Sequence, residues 1–105
     1  MREIKFRAWD YEKMTTDLSI LYLYKYRGGW DRIEIMQYTG LKDKEGKEIY
    51  EGDILKNKNG KFLIEYYPSC FVATKIPQKY GHPVSLLEAK IIGNKYENPE
   101  LLGGE

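Results

Sequence analysis

The sequence predicts a mostly β fold: a small barrel-like antiparallel sheet with N-terminal strands and one short C-terminal helical turn. Three observations carry that reading. Residues 36–56, MQYTGLKDKEGKEIYEGDILK, hold two tightly specified turns joined by a short strand. Segments on either side alternate apolar and polar residues with the period of two that a half-buried strand requires. Ten tyrosines, three phenylalanines and two tryptophans weight the composition toward strands, because aromatic side chains suit a pleated surface.

In the central stretch, Asp43-Lys44-Glu45-Gly46 puts Asp at the first position of a type I turn and Gly at the fourth, where a hairpin bulge needs a left-handed residue. The flanks Gly40-Leu41-Lys42 and Lys47-Glu48-Ile49 are expected to pair. Tyr50-Glu51-Gly52-Asp53 puts Gly at the third turn position, where a type II turn requires positive φ. Ile54-Leu55-Lys56 leaves that turn as a strand.

Taken in order, residues 3–9 alternate, with Ile4, Phe6 and Ala8 on one face and Lys5, Arg7 and Trp9 on the other, a half-buried first strand. Asp10-Tyr11-Glu12-Lys13 turns, and Met14-Thr15 resumes pairing. Residues 18–26 predict a second strand whose faces are Ile20, Tyr22, Tyr24, Tyr26 and Leu21, Leu23, Lys25, Arg27. Gly28-Gly29 reads as its hairpin turn, and residues 30–38 return. Lys58-Asn59-Gly60-Lys61 carries Asn-Gly, two residues that tolerate positive φ, and joins residues 53–57 to residues 62–67. Phe62, Ile64 and Tyr66 share a face there, and Pro68 ends the strand for want of an N–H. Residues 70–76 predict a further strand with Cys70 as a small core side chain, and residues 77–83 a loop. Residues 84–92 fit a strand, or one or two helical turns followed by a strand, and both readings stay open. Asn98-Pro99-Glu100 offers an N-cap, Pro at the first helical position and an acid in the first turn, so a short helical turn is expected over residues 99–102 with Gly103 as its stop.

A chain of 105 residues makes one domain, residues 1–105, able to bury roughly two-thirds of the surface its unfolded form exposes. The single cysteine forms no intrachain disulfide, and Met-Arg-Glu-Ile-Lys provides no apolar signal region, which together predict a cytoplasmic protein. The most apolar window, residues 18–23, is far short of the ~20 residues of a spanning helix, so no membrane association is expected. Seventeen Lys plus Arg oppose sixteen Asp plus Glu for a net charge of +1. Signs this evenly interspersed make any global attraction to nucleic acid or membrane weak, and any polyanion site must be a local patch.

On residues 36–56 the chain resembles the YopX family, small proteins encoded by bacteriophages and prophages of mainly Gram-positive bacteria. Lys5-Phe6-Arg7-Ala8-Trp9-Asp10 and Ile92-Gly93-Asn94-Lys95-Tyr96-Glu97-Asn98-Pro99-Glu100-Leu101-Leu102 agree with it in order and placement. The resemblance implies a mostly β fold with a barrel-like element, self-association, and a phage origin with residence in the bacterial host cell. It brings no catalytic or binding residues to carry over. Lys95 departs from the apolar residue more usual at its position. Independently, Gly52-Asp53-Ile54-Leu55 is similar to the diverging turn of Src-homology-type small barrels.

No constellation points to catalysis. The only histidine, His82, lies twelve residues beyond Cys70 in a Gly-Pro loop, and no Cys-x-x-Cys, paired His or calcium-type loop suggests a metal. Gly28-Gly29 and Gly103-Gly104 lack the Lys-Ser/Thr and following helix of a phosphate cradle, so no cofactor is expected. Glu48 and Glu51, like Asp43 and Glu45, read as solvated turn acids. One patch interleaves rings and cations: Tyr22, Tyr24, Lys25, Tyr26, Arg27, Trp30 and Arg32. Such interleaving serves single-stranded nucleic acid, bases stacking while cations track phosphates. Three of the tyrosines, however, share a face with Ile20, the pattern of sheet packing or a subunit interface. The resulting expectation is a non-enzymatic, phage- or prophage-encoded accessory protein that forms homo-oligomers and binds a host or phage protein. The alternative is a nucleic-acid-binding small β-barrel.

Overall fold

The computed structural model describes residues 4–19, 33–67, 70–76 and 88–103, which form two four-stranded antiparallel sheets. Strands β1 (Phe6–Trp9), β2 (Met14–Thr15), β3 (Glu34–Lys42) and β4 (Glu48–Tyr50) make the first, in the order β2-β1-β3-β4. Strands β5 (Asp53–Asn57), β6 (Gly60–Tyr67), β7 (Cys70–Ile76) and β8 (Lys90–Asn94) make the second, in the order β7-β6-β5-β8. One of the two curls into a half-barrel, and a 3-10 turn follows at Pro99–Gly103. The fold is therefore mostly β, as the aromatic content and alternation require.

Both hairpins beside β5 are built on one device. In the β3–β4 turn, Gly46 N–H donates to Asp43 O at 3.0 Å, Gly46 sits at φ 84°, and Asp43 Oδ1 accepts Glu45 N–H at 2.8 Å. In the β5–β6 turn, Asn57 Oδ1 accepts Asn59 N–H at 2.8 Å, and Gly60 adopts φ 129°. The register there pairs Asn57 with Gly60, so the two loop residues are Lys58-Asn59, one residue earlier than the Asn-Gly signal places them. The Asx side chain two residues upstream of Asn59 nucleates the turn locally, and the glycine takes the position where a Cβ would be strained. Gly52, at φ 89°, meets the type II expectation, and Asp53 opens β5 behind it.

The core lies between the sheets. Ile49, Leu55, Ile64 and Ala89 cluster, with Ala73 and Ile91 packed against them, while Phe62, Met36 and Ile54 are fully buried. Burying a side chain of Phe62's size is worth ~1.5–3 kcal/mol, so these residues hold the sheets face to face.

Several local expectations are corrected. The return strand ending at Tyr38 and the flank Gly40-Leu41-Lys42 are one strand, β3, which runs from Glu34 to Lys42 with a register shift between the Tyr38 and Lys42 pairings. Leu18 and Ser19 turn instead of opening a strand, and the rest of the predicted strand over residues 20–26 lies outside the described residues. Cys70 is exposed, because it starts β7 at the end of the sheet. Residues 90–94 settle as strand, whereas residues 84–87 and the loop over residues 77–83 lie outside the described residues. Asn98 does not cap its own helical turn: its Oδ1 accepts Asn94 N–H at 3.2 Å, folding the chain back onto β8.

That reversal makes Gly93 indispensable. A Cβ there would stand 2.5 Å from Asn98 Oδ1 and 2.8 Å from its Cγ. Gly93→Ala is expected to displace Asn98 and cost about 1–3 kcal/mol, as overpacking does. A urea titration checks this, and an unchanged midpoint would refute it.

Candidate functional site

Two buried aspartates join the sheets, and the outer surfaces they position are where function must be sought. Asp53, at the start of β5, is 2% exposed. Its Oδ1 accepts Arg7 Nη2 of β1 at 2.8 Å, and its Oδ2 accepts Tyr50 N–H at 2.7 Å. Arg7 also reaches Glu51 O at 3.3 Å, and its guanidinium lies 4.8 Å from the centre of the Tyr50 ring. Burial pushes the Asp53 carboxyl above its ordinary value of 3.8, and Arg7 with the Tyr50 amide offsets only part of this. Asp43 makes the reciprocal tie. Held in the β3–β4 turn, it accepts Lys47 N–H at 2.9 Å through Oδ1 and Ile91 N–H of β8 at 3.0 Å through Oδ2. Desolvation would raise its carboxyl, but the Ile91, Lys47 and Glu45 amides outweigh that and hold it below 3.8. Both groups are fully occupied in holding backbone and partner, so they read as structure.

Sequence reasoning put Arg7 on the polar face of β1 and the apolar residues opposite. The structure departs from this at the start of the strand: Arg7 is 9% exposed, whereas Ile4 is 70% and Phe6 38% exposed, and only Ala8 of the apolar set is buried as expected. The ion pair with Asp53, on the far side of the core, draws Arg7 inward. Nothing in the alternation signals this, since a partner 46 residues away is legible only in three dimensions.

At one end of the first sheet, Trp9, Tyr11 and Tyr96 surround Glu34. Tyr11 Oη donates to Glu34 Oε1 at 3.0 Å and Tyr96 Oη to Oε2 at 3.5 Å. Trp9 stacks with Tyr96 at a centroid separation of 6.4 Å. Burial, then the Glu34 charge, lifts the Tyr96 phenol to about 12. Lys95 lies in the adjoining turn, its ammonium 5.2 Å from the Tyr96 ring centre, so the ring accommodates the cation. These contacts pin the β1–β2 turn to the C-terminal segment.

Two outer surfaces remain. On the first sheet, Phe6 pairs with Gln37 and Ala8 with Ile35, which puts Phe6 and Ile35 on one face in diagonal neighbourhood. Ile35 is 47% exposed. On the second sheet, a depression of about 710 Å³ opens between the β3–β4 turn, the β5–β6 turn and β8, lined chiefly by Lys44, Lys56, Lys58, Lys90 and Glu88. The predicted surface of Tyr22, Tyr24, Lys25, Tyr26, Arg27, Trp30 and Arg32 lies outside the described residues, as does His82. Among the described residues no helix is long and apolar enough to cross a membrane.

Residues 15–103 match the family described as YopX protein. The chain belongs to the YopX family. The fold is similar to that in the crystal structure of protein EF1440 from Enterococcus faecalis, with a TM-score of 0.67 and 26% identity, covering 97% of this chain and 99% of that one. No curated protein matches the chain. For a YopX protein, the family assignment and the fold thus agree along nearly the whole length, and both leave the activity to be argued from surfaces.

Proposed function

We propose that this YopX protein is a phage- or prophage-encoded, non-enzymatic interaction module that self-associates in the cytoplasm of its bacterial host. The observation that supports this is the exposed apolar pair Phe6 and Ile35 on one face of β1 and β3, with the exposed Ile4 two residues ahead of Phe6. Apolar residues gathered on a sheet face, and not scattered singly, are the composition of an interface. A second copy suits that face, because a net charge of +1 sets up no repulsion between like chains and a two-fold axis lets the same patch serve both partners.

Sedimentation equilibrium from low to high micromolar concentration tests it. The wild-type chain is expected to be dimeric or larger, and Ile35→Lys is expected to give a monomer with an unchanged far-UV spectrum and melting temperature. A wild-type chain that stays monomeric at the highest concentration would overturn the reading. Nucleic-acid binding is the second reading, favoured by the lysines of the second sheet.

A further inference from the structure

We infer that the lysine-lined depression on the second sheet is a site for the phosphate backbone of duplex nucleic acid, contacted without regard to sequence. The inference stands apart from self-association, which uses the other sheet. It begins with an anomaly in the register. Lys90 of β8 pairs directly with Lys56 of β5, and Lys56 pairs directly with Lys61 of β6. Opposed residues of antiparallel strands share a face, and like charges placed directly opposite destabilise a sheet. Three lysines in step across three neighbouring strands, ~4.8 Å apart, therefore work against folding.

Two of the three lysines have contacts within the chain, and Lys56 is left to the exposed face. Lys61 Nζ donates to Leu101 O at 3.2 Å. Lys90 lies 3.7 Å from Glu45, both side chains nearly half exposed, which is the geometry of a weak surface pair. No carboxylate of the described residues pairs with Lys44, Lys56 or Lys58, and all three are exposed. Among the described residues the lining carries four lysines against Glu88, while the whole chain carries a net charge of only +1. The basic excess is thus concentrated here and the remainder of the chain is net acidic, so an approaching polyanion is steered to this face.

The shape of the charge selects the occupant. A row of cations flanked by two turn lysines matches a linear repeat of anions, and not one compact ion. Among the described residues no aromatic ring lines the depression, and these residues offer no stacking platform for unpaired bases. Lysine is a point charge on a flexible stem, suited to phosphate contact without base readout. A duplex backbone satisfies all three conditions.

The test is fluorescence anisotropy of a labelled duplex of mixed sequence titrated with the full chain. Neutralising about four phosphates predicts that affinity falls on the order of 100-fold between roughly 50 and 200 mM salt. The double variant Lys56→Gln/Lys90→Gln should lose about half of that salt slope, so its loss across the same range shrinks to about 10-fold. Because the substitution relieves like-charge opposition, its melting temperature should hold or rise. The single variants Lys44→Gln and Lys58→Gln, at exposed turn positions, provide the same reading without touching a strand pair, and Lys13→Gln on the other sheet should change nothing. Absence of duplex binding at low salt would overturn the inference, as would binding that ignores these substitutions, or a single strand bound more tightly than the duplex. Sedimentation of the same variants keeps the two proposals separate, since loss of duplex binding should leave the oligomer intact.

Discussion

Asp53→Ala is expected to lower the free energy of unfolding by about 3–5 kcal/mol, the cost of breaking a buried pair from one side. Two losses combine. The Arg7 guanidinium remains inside the protein without its anion, and its Nε already has no hydrogen-bond partner. The Tyr50 amide also loses its acceptor, at the turn that reverses the chain from the first sheet into the second. Removing both charges is a different experiment: Arg7→Met with Asp53→Leu should recover much of the loss, because apolar pairs of similar volume replace buried ion pairs at little cost. Urea denaturation of the wild type, both single variants and the double variant closes the cycle. If Asp53→Ala alone cost less than about 1 kcal/mol, in the range of an exposed pair, the link between β1 and β5 would contribute little to holding the sheets together.

How much of this was legible in the sequence depends on the range of the interaction. Gly46 and Gly52 announced their turns because a left-handed backbone is a one-residue requirement, and both adopt positive φ. Phe62 and Ile64 announced their face because a strand repeats every two residues, and both are buried. Cys70 misled because small size favours burial only when the strand end is covered. Asn98 misled because an N-cap side chain can serve whichever amide the fold brings near, here that of Asn94. Neither proposed surface could be read in advance. The lysine row exists only once β6, β5 and β8 are set side by side in register, since Lys56, Lys61 and Lys90 share no local pattern. The exposed pair Phe6 and Ile35 on β1 and β3 required knowing that Arg7, and not Phe6, is buried.

Asp43→Ala is the second large loss, expected at about 2–4 kcal/mol: one carboxylate accepts three backbone N–H groups, and hydrogen bonds to a charged group contribute about 1.5–3 kcal/mol each without being additive. One of the three crosses from the β3–β4 turn to β8, beside the Lys44 N–H to Ala89 O bond at 3.0 Å. The same contacts fix a pH dependence. A carboxyl held below its unfolded value lends stability that is present above that value and is lost as pH falls through the lowered folded value. Asp53 has the opposite sign. Its folded value is raised, so its titration withdraws stability as pH rises through that value and returns it on acidification. Carboxyl-detected NMR should find Asp43 titrating below 3.8 and Asp53 above it. Unfolding free energies below about pH 4 should fall less steeply for Asp43→Asn than for the wild type. Protonation of Asp43 weakens the acceptor for Ile91 N–H before it disturbs the fully buried Leu55 and Phe62. Hydrogen exchange at a pH below 3.8, where Asp43 takes up its proton, should therefore accelerate at Ile91 and Lys44 while the amides of β5 and β6 stay protected, releasing the hairpin from β8 ahead of global unfolding. Uniform acceleration across both sheets would show instead that Asp43 is no local tie and that the two sheets open as one unit.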